Sequence, residues 1–395
     1  MHPMLKRARE IEDQFIAYRR QFHRHPEAGF KEEQTCATVM AFLDSLQIPH
    51  QRMAVTGVVG LIEGGIPGDR CIAIRADMDA LPMDERSGVA FASEVPGMMH
   101  SCGHDGHTAI LMGVAALLKE KQAEIKGNIK LFFQPCEEGP GTGGAFPMIQ
   151  EGCMENPKVD AAIGLHVHTT DGCATGEIAV KDGPLNASSG GWAITINGKG
   201  GHGSSPHLSV DAIVCAAQVV TALQTIASRE IDPMSSIVLS IGKIVGGYRT
   251  NIIADQVVLE GTLRTTEMEV RASVGERIER IVKGVCDAYR CTGTVDMRQG
   301  RPPVINDAGM TDLFAKSAAK ILGEDKVKRI PKASMGGEDF AFFAQMVPST
   351  YVRLGARNEA LGMTYPAHHP QFDFDEQAIA IGMACLAQTA LDYLD

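Results

Sequence analysis

The sequence predicts an α/β protein: a mainly parallel-sheet domain, residues 1–184 and 299–395, with an inserted ferredoxin-like α+β domain, 185–298. Three observations carry that expectation. Short apolar runs alternate with helical stretches in both outer segments, the rhythm of βαβ units. The texture changes at 181–191, KDGPLNASSGG, whose Gly, Ser and Pro content reads as an interdomain hinge. The next stretch of about a hundred residues runs β-α-β-β-α-β, the order of a ferredoxin-like unit. A chain of 395 residues also exceeds one ordinary core.

Taken in order, residues 4–23 carry apolar and charged side chains at helical spacing, and Pro26 in HRHPEAGF ends that helix. A second helix is expected over 32–46. Apolar runs at 56–63 (TGVVGLIE) and 71–76 (CIAIRA) read as strands, 104–121 as helix, and 128–134 (NIKLFFQ) and 161–166 (AAIGLH) as further strands. Within the insertion, strand 192–198 precedes helix 210–227, strands 236–245 and 256–265, helix 267–289 and a short strand near 293–297. After RPPVIN at 301–306, helix–strand alternation resumes, with a strand at 350–354 and a final helix at 376–394. No solenoid repeat or low-complexity tract interrupts the pattern.

Bulk properties narrow the function. Hydrophobic residues at 44% and charged residues at 22% are the balance of a folded globular chain, which argues against long disordered tracts. Net charge is −11 and no Lys/Arg cluster is dense enough to follow a phosphate backbone, so nucleic acid is excluded as a partner. The basic N-terminus lacks a following apolar region, and no apolar run approaches the ~20 residues that cross a bilayer. A cytoplasmic protein without membrane contact is therefore expected. The ten cysteines are scattered, as buried thiols rather than a disulfide framework. Cys102, in MHSCGHDGH, stands apart.

The residues competent to hold metal fall at the ends of the expected strands. Asp77 and Asp79 follow the 71–76 strand; Cys102 and His104 precede a helix; Glu137 and Glu138 follow 128–134. His166 ends its strand with His168 just beyond, and His368 and His369 lie in the loop after 350–354. In open α/β sheets the carboxyl ends of the strands line the ligand crevice, so these sets converge on one edge. A thiolate with imidazoles and carboxylates suits Zn, Mn, Co or Ni, and five or more candidates favour two divalent ions. Adjacent carboxylates in an extended loop point different ways, so one of Glu137 and Glu138 can hold metal while the other moves a proton. Plainer readings stand beside these: loop caps for Asp77 and Asp79, ordinary first-turn residues for His104 and His107, a strand end for His166. His23 and His25 read as capping or packing residues.

From RRQFHRHPEAGF through RADMDALP, HSCGHDGHTA, LFFQPCEEGPGTGGA, GLHV, GKGGHGSSPH, NIIADQVVLEGTLR, MGGEDFAFF and AHHPQFDF, the chain resembles the N-acyl-amino-acid amidohydrolases. These include hippurate hydrolases and indoleacetyl-amino-acid hydrolases, within the aminoacylase and carboxypeptidase class of metallopeptidases. The resemblance implies a catalytic domain with a two-metal centre and an inserted lid that forms a homodimer or homotetramer. It implies metal ligation by Cys102, as the bridge, His104, Glu138, His166 and His368, the last favoured over His369. It makes Glu137 the general base and Asp79 an orienting residue. In the lid, it implies that His202 reaches a neighbouring site to steady the oxyanion, while Asn251 and Arg264 grip the substrate carboxylate. The expected activity is hydrolysis of an N-acyl amino acid, such as an N-acetyl or N-benzoyl compound. Dipeptidase or carboxypeptidase-like cleavage and a catalytically silent metal-binding protein are the alternatives.

Overall fold

Four strands, Ile66–Asp77, Lys126–Gln134, Ala161–His168 and Ser349–Gly355, are buried along most of their length because helices cover both of their faces. In the computed structural model, which describes residues 1–170 and 172–395, they form the parallel centre of an eight-stranded sheet. The order across it is His50–Met53, Gly57–Glu63, Lys126–Gln134, Ile66–Asp77, Ala161–His168, Ser349–Gly355, Ile178–Val180, Val327–Arg329. The first two strands are antiparallel, as is Ile178–Val180 against Ser349–Gly355. The chain is thus α/β with a mainly parallel sheet.

Helices Pro3–Arg24, His104–Glu120 and Gln377–Leu394 pack on one another and bury Phe15, Ile110, Val114, Met383 and Leu386 in one continuous core with the sheet. His104–Glu120 is apolar nearly all round, as a helix enclosed by others must be. Its first turn stands at the carboxyl ends of the parallel strands, which brings the CGHDGH segment to that edge.

By contact density the chain divides into two units: Met1–Leu185, Ile305–Lys332 and Asp339–Asp395 in one, Asn186–Val304 and Ala333–Glu338 in the other. The second unit holds an antiparallel sheet ordered Ile237–Gly246, Gln256–Thr265, Ser189–Asn197, Thr292–Arg301. With helices Ala212–Thr225 and Met268–Tyr289 this is the ferredoxin-like arrangement, built on Trp192, Ile194, Val219, Leu223, Leu259 and Ile278. A small ribbon pairs Gly201–His202 with Ile252–Ile253.

Several expectations are corrected. The stretch 181–191 does hold the boundary between the two units, after Leu185, but as strand rather than loop: it contains Gly183–Asn186 and the start of Ser189–Asn197. Its glycines serve strand pairing, Gly190 and Gly191 standing opposite Leu263 and Thr262. The strands Ile178–Val180 and Val327–Arg329 are additional, too short to show alternation in sequence. Among the described residues one helix, Ala212–Glu230, is long and apolar enough by length and composition alone to cross a membrane. Its residues Ala212, Cys215, Ala216, Val219, Leu223 and Ile226 are buried in the core of the second unit.

Candidate metal centre

The centre begins with Gly103, which caps helix His104–Glu120 at φ +88°. A Cβ there would lie 2.2 Å from Val167 Cγ2, so only glycine lets the helix start this close to the strand carrying His166. Cys102 Sγ consequently lies 3.3 Å from His166 Nε2. Two more residues of the centre lie in the left-handed region, Cys136 at φ +55° just before Glu137 and His368 at φ +65°.

Hydrogen bonds decide which imidazole nitrogens are free. His104 Nδ1 donates to the Asp79 carbonyl at 3.0 Å, which leaves the Nε2 lone pair available. That nitrogen is buried and makes no hydrogen bond. His166 Nδ1 donates to the Val167 carbonyl at 2.7 Å, again presenting Nε2. Such second-partner bonds set the tautomer of a metal-binding histidine. His107 is different. Its Nε2 accepts the Val167 N–H at 2.9 Å and its Nδ1 meets Asp77 Oδ1 at 2.6 Å, so both nitrogens are engaged. Although its donor atoms lie near those of Asp77 and His104, His107 is a positioning residue that ties the strand bearing His166 to Asp77.

Asp79 organises the facing loop. Its Oδ1 accepts the Glu137 N–H at 2.9 Å and its Oδ2 the Glu138 N–H at 2.8 Å. Glu138 Oε1 meets His368 Nε2 at 2.9 Å. Burial raises the Glu138 carboxyl, but the hydrogen bond and charge of His368 outweigh it and hold it well below its usual range. His369 turns away, stacking on Tyr365 at 4.4 Å while its Nδ1 accepts the Gln371 N–H. Donor atoms of Cys102, His104 and His166 lie within 4.8 Å of one another, and so do those of Cys102, Glu138 and His368. The two triads share one sulfur. Glu137 forms a further group with His104 and Glu138 and is almost fully buried.

Do these residues fit divalent ions? An orphaned, buried His104 Nε2 is costly unless something occupies it. Burial, with the Glu138 charge behind it, pushes the Cys102 thiol far above its ordinary range, and a cation reverses that balance. The mixed sulfur, nitrogen and oxygen set suits borderline ions. They fit.

Sequence reasoning passed over a support network one layer out. Arg75, buried, donates to Asp77 Oδ2 at 2.5 Å, to Gln134 Oε1 at 2.8 Å and to Asp339 Oδ1 at 2.8 Å. Asp339 Oδ2 accepts the Gly144 and Ala145 N–H groups at 3.0 and 3.1 Å, anchoring the loop that follows Glu138. Their signal was present in RADMD and GGEDF, as charged residues inside apolar surroundings.

The remaining candidates lie in the second unit. His202 is exposed, and its Nδ1 accepts the Ser204 N–H at 3.2 Å, so its outward Nε2 carries the proton. The ribbon sets it opposite Ile252, beside Asn251, whose carbonyl accepts the Gly203 N–H. Arg264 stands on the four-stranded sheet, near the Met335 carbonyl at 3.4 Å.

Comparison with known proteins adds to this geometry. A model of peptidase family M20/M25/M40 matches residues 73–392. An N-acetyl-L-cysteine deacetylase of Bacillus subtilis is 39% identical, covering 98% of this chain and 89% of that one. A thermostable carboxypeptidase of Saccharolobus solfataricus is also 39% identical, over 98% and 96%. Among solved structures, the Bacillus subtilis YXEP protein, described as a dinuclear metal binding peptidase from the M20 family, superposes with a TM-score of 0.84. It is 33% identical and covers 98% of this chain and 99% of its own.

Proposed function

The chain belongs to peptidase family M20/M25/M40, and from that premise we propose that it is a metal-dependent amidohydrolase that cleaves N-acyl amino acids into a carboxylic acid and a free amino acid. The observation that carries this reading is the pair of donor triads sharing Cys102 Sγ, with Glu137 beside them. We assign the ligands as Cys102, His104, His166, Glu138 and His368, for two divalent ions drawn from Zn, Mn, Co and Ni. Such ions polarise a carbonyl and make water acidic near neutral pH.

The chain's own residues do the rest. Glu137 takes the proton of the attacking water and returns it to the leaving nitrogen. Its backbone N–H, held by Asp79, fixes where that carboxylate stands. His202 would reach a neighbouring active site and donate a hydrogen bond from Nε2 to the oxygen that becomes negative, and Arg264 with Asn251 would hold the amino acid's carboxylate. The relatives named for deacetylation of N-acetyl-L-cysteine and for carboxypeptidase action bracket the substrate class. The first fits an acyl group on an amino acid and the second the peptide-cleaving alternative.

The inserted unit is proposed as lid and as the surface that makes a homodimer or homotetramer. Its edge strand Ile237–Gly246 exposes Ile244 and Val245, with Ile213, Val214 and Tyr248 also exposed on this unit. An uncovered strand edge with apolar side chains is an association surface in waiting. Glu137→Gln tests the central role: turnover of an N-acetyl amino acid falls by about a thousandfold or more while bound metal stays at the wild-type level. Retained turnover removes Glu137 from the mechanism.

A further inference from the structure

Arg353 occupies a place that the reaction just described does not use. On strand Ser349–Gly355 it is in register with His166 on one neighbouring strand and with Ala179 on the other. Registered residues on adjacent strands share a face and stand about 4.8 Å apart, so Arg353 and the metal-ligand candidate His166 point to the same side of the sheet. His168, two residues beyond His166, shares that face at the same carboxyl edge.

The guanidinium is only partly exposed, yet it has no carboxylate partner and no hydrogen bond among the described residues. The other buried arginines of this unit are paired. Arg19 meets Asp105, Asp373 and Glu376, and Arg75 meets Asp77 and Asp339. Its registered neighbour Ala179 is small and uncharged and offers the guanidinium no partner. A cation taken partly out of water without an anion is unfavourable, and a planar fork of donors is shaped for a carboxylate.

We propose that Arg353 is a substrate-binding residue that selects N-acyl amino acids bearing a second carboxylate, in addition to the one on the amino acid's α-carbon. The inference rests on the reading of the site as an N-acyl amino acid hydrolase and names its substrate class. The second carboxylate is carried either by the acyl group or by the amino acid side chain. Both place a negative group a short distance from the scissile bond, where a residue beside His166 can meet it.

The test uses the metal-loaded full chain and two matched pairs. N-succinyl-methionine against its succinamoyl amide probes the acyl side; N-acetylglutamate against N-acetylglutamine probes the side chain. In wild type, the charged member of one pair has the higher kcat/KM by roughly ten- to a hundredfold, the range of a charge-assisted hydrogen bond. Arg353→Gln lowers that charged-to-neutral ratio by about tenfold or more, and Arg353→Lys retains part of it. The pair that responds identifies which side bears the group. A wild-type ratio near one in both pairs, or a ratio unmoved in Arg353→Gln, overturns the proposal while leaving the hydrolase reading intact. Hydrolysis of no member of either pair overturns the hydrolase reading and the inference with it.

Discussion

Glu32 sits directly behind the catalytic loop, fully buried, its Oε1 accepting the Cys136 N–H at 2.8 Å and its Oε2 bonded to the Thr56 hydroxyl. Burial raises its pKa to about 7, with Asp79's charge adding to the effect and the Thr56 bond opposing it. The folded state therefore keeps a proton that the unfolded chain releases near 4.5. Stability from this group is complete below about 4.5, falls as pH rises through the window and is lost above about 7, a difference on the order of 1–3 kcal/mol. Glu32→Gln removes the titration, so its melting temperature relative to wild type should rise between pH 5 and pH 8. A difference that stays flat across that range contradicts the assignment. Residues of this kind were the hardest to read. Glu32 appeared only as a helix start, and His107 as a first-turn residue. Their roles come from partners dozens of positions away, such as Val167 and Cys136, which no local spacing reveals. Cys102, His104, Glu137 and Glu138 were legible because each sits against a strand end or helix start that the apolar pattern had already located.

At the scale of elements, the long apolar strands and the helices were readable to within a few residues, since period and burial agree in them. The helix expected over 104–121 is His104–Glu120, and the strand 256–265 is Gln256–Thr265. The edge strand His50–Met53 was not, because HQRM is polar and mostly exposed. At 181–191 the unit boundary was legible but the conformation was not, because glycine and serine signal turns in isolation, whereas here they run through paired strands. Gly103 shows a local requirement imposed by packing of helix on strand. Gly103→Ala combines a left-handed backbone cost of about 1–3 kcal/mol with a clash against Val167. The helix start must shift, taking Cys102 and His104 with it. The expected result is a lower melting temperature together with reduced metal content. An unchanged value for both would show that the close approach does not matter.

Across the whole first unit, Arg19 joins segments far apart in sequence. It carries the first helix onto Asp105 at 2.8 Å, on the helix that starts the metal centre, and onto Asp373 at 2.6 Å near the C-terminus. Its guanidinium also lies over the Phe91 and Phe374 rings. Arg19→Met leaves two acidic groups in the interior without their cation, a loss of about 3–5 kcal/mol. Urea unfolding should register it; a change under about 1 kcal/mol would mean the carboxylates find other partners. The central claim is that the two donor triads sharing Cys102 would hold two divalent ions, whose chemistry makes this chain an amidohydrolase. It is tested most directly by stripping the protein with chelator and titrating Mn²⁺ or Zn²⁺ back while following N-acetyl amino acid hydrolysis. The account predicts no turnover in the stripped protein and a rise that reaches its plateau at about two ions bound per chain. Turnover without metal, or a plateau at a single ion, would contradict it.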